Sequence, residues 1–230
     1  MSFILVTDTS PGIENILIKD YEGKPFLGIS SMFYNSKDNL IYFTDSGKFE
    51  FGQCYPENGS LYCLDLETKI LKPILYECLS YPNDVVYDYL NKIIYVCEPF
   101  SNKILRVKTS LSGVKYTSVF HQFTGRLGPS NMVVDDAGNL YVARFEFSET
   151  IENSIIDGLI SVLNPNGVLI GQITLPRIPE ISGLFIPSKK KDNLYFTERG
   201  TTCVMKIKLS NFYSELDKLE NKKFFSSINS

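Results

Sequence analysis

Four places in this 230-residue chain set short polar side chains immediately before an apolar run. Ser30 and Ser31 precede Met32-Phe33, and Asn83 and Asp84 precede Val85-Val86. Ser130 and Asn131 precede Met132-Val133-Val134, and Ser182 stands just ahead of Leu184-Phe185. Asn83 offers an amide oxygen and Asp84 a carboxylate, while Asn131 and the serines offer weaker, neutral oxygens. Oxygens converging from several directions are what a hard cation such as Ca²⁺ requires. The structural alternative is that they only satisfy strand ends and channel water, because Ser, Asn and Asp dominate turns anyway. The choice between these readings depends on whether the four places meet in space.

They meet if the segments around them are copies of one unit. Ile29–Tyr34 leads through Lys37-Asp38-Asn39 into Leu40–Asp45. Tyr81–Asp88 leads through Leu90-Asn91 into Ile93–Glu98, and Gly128–Val134 through Asp135–Asn139 into Leu140–Ala143. Ile181–Ile186 leads through Lys191-Asp192-Asn193 into Leu194–Glu198. Each copy reads as an apolar strand, a polar turn and a second apolar strand. Tyr42, Tyr95, Tyr141 and Tyr195 mark the register, 53, 46 and 54 residues apart. That spacing is near the ~40–50-residue period of a propeller blade, and four short antiparallel strands per unit fit the same architecture. A sandwich could use these strands too, but would not need the sequence to repeat.

The predicted fold is therefore all-β. It is a β-propeller of four-stranded antiparallel blades, with about five repeat units and an incomplete first one. One domain spans 1–230, with units at about 1–28, 29–78, 79–124, 125–178 and 179–230. The innermost strand of each blade runs along the central channel. Residues leading into those strands then crowd around the axis at one mouth of the ring.

Local features fill in the outline. Phe3–Thr7 matches a second strand, Asn15–Ile18 a third, and Lys24–Leu27 a weak fourth. Asn58-Gly59 reads as a hairpin turn rather than a glycosylation site, and Ile70–Tyr76 as an outer strand. Asn211–Leu219 carries mixed helix signals, and Phe224-Phe225 suits a closing edge strand. The net charge of −3 with no basic block argues against nucleic-acid binding. Five cysteines with no CxxC pair indicate buried free thiols rather than a disulfide framework or zinc site. No apolar run reaches the ~18 residues of a membrane span. The N-terminus lacks a positive n-region and reads as a strand rather than a signal peptide, so a cytoplasmic protein is expected.

Tyr81-Pro82-Asn83 followed by Ile94–Glu98, Gly128–Asn131 followed by Asp136–Ala143, and Tyr42–Ser46 resemble the SMP-30/gluconolactonase/LRE-like family. The resemblance runs almost to Leu209. The family includes calcium-dependent lactonases and, more distantly, strictosidine synthase-like proteins; carbon–nitrogen bond formation has no residue-level support here. The resemblance implies a six-bladed propeller with one catalytic divalent metal in the channel, Ca²⁺ foremost. It carries the metal-binding Asn of a Pro-Asn step onto Asn83. The family's Asp, from a Gly-Pro-Asp step, falls on Ser130, which supplies no charge. A further Asn or Asp falls near Ser30 or Ser31, and the first-blade Glu has no counterpart. Either the chain is a shortened member, or its incomplete first blade is closed by the C-terminal segment.

The resemblance implies a metal-assisted hydrolysis of a small lactone or ester. The cation would polarise the carbonyl and activate water while a carboxylate moves protons. Asp84 is the only acid at a matching channel position and is the candidate base. Ser30, Ser31, Asn131 and Ser182 are left to line the substrate, with Asn83 and Ser130 at the metal. His121, the only histidine, stands before the fourth unit, where it could face the same mouth. Ser46 lacks a nucleophile-elbow context. The alternative is a propeller without its catalytic metal that serves as a ligand-binding or protein-interaction scaffold.

Overall fold

Short runs of Val, Ile, Leu and Tyr stopped by Asp, Asn or Gly turns form strands because branched and aromatic side chains suit a pleated, half-buried surface. The computed structural model describes residues 4–7, 14–48, 56–109, 115–125, 127–146, 157–178 and 180–216. It opens with two short antiparallel pairs. β1 (Ile4–Thr7) pairs with β2 (Glu14–Ile18), and β3 (Asp20–Tyr21) pairs with β4 (Lys24–Pro25).

Three four-stranded antiparallel sheets follow, each laid down in chain order. The first holds β5 (Ile29–Asn35), β6 (Leu40–Asp45), β7 (Gly59–Asp65) and β8 (Leu71–Leu79). The second holds β9 (Asp84–Asp88), β10 (Ile93–Glu98), β11 (Lys103–Thr109) and β12 (Lys115–Gln122). The third holds β13 (Leu127–Val134), β14 (Leu140–Glu146), β15 (Gly158–Leu163) and β16 (Leu169–Leu175). A last sheet of β17 (Ile181–Phe185), β18 (Asn193–Glu198) and β19 (Cys203–Lys208) runs into a helix over 209–216. These are the blades of a β-propeller. No described helix is long and apolar enough to cross a membrane.

The four tyrosines show how the blades pack. Each sits on the second strand of its blade. Tyr42 joins a cluster with Val85, Ile94 and Val107 of the next blade and stacks on Tyr87, ring centroids 5.7 Å apart. Tyr95 reaches Met132 and Leu140, and Tyr141 reaches Ile181 and Leu194. Both are fully buried. Tyr195 is only half-buried, and Phe185 and Val204 on the same sheet are 61% and 73% exposed. The inner strands pack in series, β5 on β9, β9 on β13, and β13 on β17. Among the described residues no comparable packing joins β17 back to β5.

Several local expectations are corrected. Lys24–Leu27 does not extend the β1–β2 sheet, because Lys24-Pro25 folds back on Asp20-Tyr21. Asn58-Gly59 is not a hairpin turn. Gly59 is already in β7 opposite Leu79, and a Cβ there would meet the Pro82 ring at 2.4 Å. Its glycine is set by close approach. The outer strand runs over Leu71–Leu79 rather than Ile70–Tyr76. The thiols are not uniformly buried, since of the four described only Cys97 is enclosed, Cys63 is half-buried, and Cys78 and Cys203 are exposed. Cys54 and Phe224-Phe225 lie outside the described residues.

A second close approach gives a stability test. A Cβ on Gly158 would fall 1.9 Å from the Ile178 carbonyl oxygen, a backbone atom with little room to yield. Gly158→Ala is expected to destabilise the fold by about 1–3 kcal/mol, the usual cost of overpacking. Urea unfolding checks this, and an unchanged midpoint would contradict the contact.

Candidate functional site

The lead-in residues of the inner strands do converge. A cavity of about 320 Å³ is lined by Ser30 and Ser31 at β5, Tyr81 and Asn83 at β9, Ser130 and Asn131 on β13, and Ser182 on β17. Phe145, Ile181 and Arg199 complete its wall. The strand pairing slips beside three of these positions, between Ile29 and Ser31, Pro129 and Asn131, and Ile181 and Gly183. Such bulges bend a strand and re-aim its side chains.

Hydrogen bonds tie the blades together behind this wall. Ser30 Oγ donates to Asn83 Oδ1 at 3.3 Å, and Asn83 Nδ2 donates to the Ser130 carbonyl at 2.6 Å. Ser130 Oγ lies 3.2 Å from the Ala143 carbonyl oxygen and 3.4 Å from that of Ile181. Ser182 Oγ is 3.1 Å from Thr197 Oγ1. Asp84 is 6% exposed and does not line the cavity. Its carboxylate accepts from Ser31 Oγ at 2.5 Å and from the Met132 N–H at 2.7 Å. Burial pushes the Asp84 pKa up to about 6, against the pull of the Ser31 and Met132 hydrogen bonds. The neighbouring Cys97 thiol is held protonated, first by burial and then by the Asp84 charge.

Two polar side chains on the wall make no such bond. Neither the Asn131 carboxamide nor the Arg199 guanidinium has a side-chain partner among the described residues, and Arg199 is the only charged group on the wall. Arg199 is set there by its own backbone, whose N–H donates to the Glu180 carbonyl at 2.9 Å. The adjacent Glu198 is engaged elsewhere, accepting from the Thr201 N–H and hydroxyl at 2.5 and 2.6 Å.

Acids that end the second strands act as loop clamps. Asp45 accepts from the Leu27 and Gly28 N–H groups, at 3.1 and 2.7 Å, just before β5. Glu98 accepts from the Ser80 N–H at 2.5 Å, ahead of β9, and pairs with Lys103 at 2.9 Å. His121 is not at the mouth. It lies on the outermost strand of its blade, with Nδ1 2.8 Å from the Gly167 carbonyl oxygen and its ring against Phe123.

The sequence profile of the SMP-30/Gluconolactonase/LRE-like region matches residues 31–200. The chain belongs to the SMP-30/gluconolactonase/LRE-like family. Lactonase drp35 of Staphylococcus haemolyticus (strain JCSC1435) is 29% identical over 152 residues, 64% of this chain and 42% of that protein. The gluconolactonase XC5397 of Xanthomonas campestris superposes with a TM-score of 0.67 at 18% identity, over 89% of this chain and 64% of that one. A chain of the nidogen/laminin complex does so with a TM-score of 0.60, also at 18% identity, over 85% and 64%. Likeness at this identity shows the propeller and leaves the chemistry to the site. The chain spans less than two thirds of the length of each of these relatives.

The divalent cation implied by the SMP-30 resemblance does not fit the described donors by themselves. Ca²⁺ takes about six to eight oxygens, several of them carboxylate. Among the described residues no carboxylate lines the mouth, and no three His, Cys, Asp or Glu group around one point. Asn83 and Ser130 are hydrogen-bonded to each other, and the Ser130 hydroxyl faces two carbonyl oxygens. Sequence reasoning missed Tyr81, Phe145 and Arg199. Only the Pro82-Asn83 step next to Tyr81 hinted at any of them.

Proposed function

We propose that this SMP-30 family chain binds a small lactone at the channel mouth and supports its hydrolysis, with Ser31 and Asp84 handling the proton. The observation that carries the proposal is the Ser31–Asp84 pair. A hydroxyl on the cavity wall is hydrogen-bonded to a buried carboxylate, which is itself oriented by a backbone N–H. That is the arrangement by which a weak acid is activated beside a base.

Water attacks the ring carbonyl carbon and forms a C–O bond. Its proton passes to Ser31 Oγ as the Ser31 proton passes to Asp84. The tetrahedral oxyanion then collapses, the ring C–O bond breaks, and the departing alkoxide regains the proton by the same route. The product is the open hydroxy acid, which becomes its carboxylate by losing the carboxyl proton to solvent. Tyr81 and Phe145 supply walls for the ring, and Asn131 and Arg199 stand where the carbonyl end can be held. Kinship with proteins called lactonase and gluconolactonase supports this substrate class.

A panel of γ- and δ-lactones assayed with wild type and Ser31→Ala tests the proposal. The variant is expected to lose about 10²-fold or more in kcat, within the span of general acid–base catalysis, while KM holds. Wild-type hydrolysis no faster than buffer would refute the reading. The second reading, a binding scaffold without turnover, is favoured by a wall on which the described residues place no carboxylate. It predicts lactone binding without hydrolysis in the same assay.

A further inference from the structure

We infer that Arg199 and Asn131 form a carboxylate subsite at the mouth, so that the chain binds an open hydroxy acid in preference to its neutral lactone. The inference rests on the lactonase reading for the identity of the anion, and on the wall itself for its charge.

Four observations carry it. The serines and Asn83 on the wall are already hydrogen-bonded to other parts of the protein, which leaves Asn131 and Arg199 as the unengaged polar groups among the described residues. Among the described residues the only charge on the wall is positive, although the whole chain carries a net −3. The acid next to it in the chain, Glu198, is held by Thr201. A guanidinium presents a planar fork of N–H donors that matches the two oxygens of a carboxylate, and an amide N–H₂ adds a third donor.

A lactone carbonyl carries only partial charge, whereas ring opening produces a full anion shared by the former carbonyl oxygen and the oxygen supplied by water. Groups that hold the carbonyl end through attack therefore hold the acid more tightly than the ring. Product inhibition follows directly.

Calorimetric titration with sodium gluconate, uncharged gluconamide and inorganic phosphate tests the subsite on wild type, Arg199→Gln and Arg199→Lys. Gluconate is expected to bind about tenfold or more tighter than gluconamide, the scale of a hydrogen bond to a charged group. Arg199→Gln is expected to remove that advantage by weakening gluconate far more than gluconamide, with Arg199→Lys in between because it keeps the charge and loses the fork. The wild-type advantage is expected to shrink between about 0.05 and 0.5 M salt. Arg199 is exposed, so matching melting curves will show that the variants fold. Equal affinity for gluconate and gluconamide, or gluconate binding untouched in Arg199→Gln, overturns the subsite. Phosphate binding tighter than gluconate overturns its assignment to a carboxylate. Lactone hydrolysis without gluconate binding would sink the subsite alone, and Arg199-dependent gluconate binding without hydrolysis would sink the lactonase reading alone.

Discussion

Asp84→Asn is expected to lower lactone turnover by about 10²–10⁴-fold while making the protein more stable above pH 6. Both effects have one cause. The Asp84 carboxylate is enclosed, and burial moves its pKa from an ordinary 3.8 up to about 6. A carboxyl group whose folded pKa is raised favours folding in its protonated form. Its stabilising contribution is complete below about pH 3.8 and is lost as pH rises through about 6. At 1.36 kcal/mol per pKa unit, the charged form costs on the order of 3 kcal/mol at pH 8. Asparagine fills the same space, accepts from the Met132 N–H and meets Ser31 Oγ with an N–H, so the packing survives without the charge.

The proposed turnover needs the opposite protonation state. As the proposed proton acceptor behind Ser31, Asp84 must be ionised, so kcat/KM of wild type is expected to rise through about pH 6 and level off above it. Cys97, the titratable group that faces it, stays protonated throughout this range. The Asn variant is expected to show a flat, low profile and a urea midpoint above that of wild type at pH 8. A merely structural aspartate would give the stability gain without the lost pH step, and that outcome removes Asp84 from the proton path.

Ser130→Asp is expected to destabilise the protein by about 3 kcal/mol at pH 8, the scale of an uncompensated buried charge. Ser130 is 4% exposed, and its hydroxyl faces the Ala143 and Ile181 carbonyl oxygens. A carboxylate there meets two acceptors and no donor. Protonation restores an O–H donor, so the penalty should shrink as pH falls toward 5, again the sign of a raised folded pKa. Ser130→Ala, which only removes the donor, should cost about 1 kcal/mol at either pH. Urea unfolding at both pH values reads the difference. A loss under about 1 kcal/mol at pH 8 would mean that the two carbonyls do not set the character of this position. The experiment also explains why serine is at home where the family resemblance places an acid.

Much of the fold was legible in the residues alone. Tyr42, Tyr95, Tyr141 and Tyr195 mark a repeat because each occupies the same place on a second strand. The first three bury against the following blade. The meeting of Ser30, Asn83, Ser130 and Ser182 at one cavity followed from the repeat, since equivalent positions in a radial array face the same axis. The roles of these groups were not legible. Asn83 and Ser130 look like ligands until each is seen bonded across to a neighbouring blade. Asp45 and Glu98 look like spare acids until the lead-in loops are seen hanging from them. His121, four residues before Gly125, gave no sign that it sits on an outer strand against the Gly167 loop.

The sequence by itself determined the strands, their order and the direction of their polar ends, because alternation and turn chemistry are properties of neighbours along the chain. Only the tertiary structure decided which polar groups are engaged and which face the cavity. Hydrogen-bond satisfaction is settled between blades some fifty residues apart, by distances and angles that no local pattern records. Arg199 follows the same logic: in the sequence it is one residue of a polar turn, and the Glu180 contact makes it the charge at the mouth.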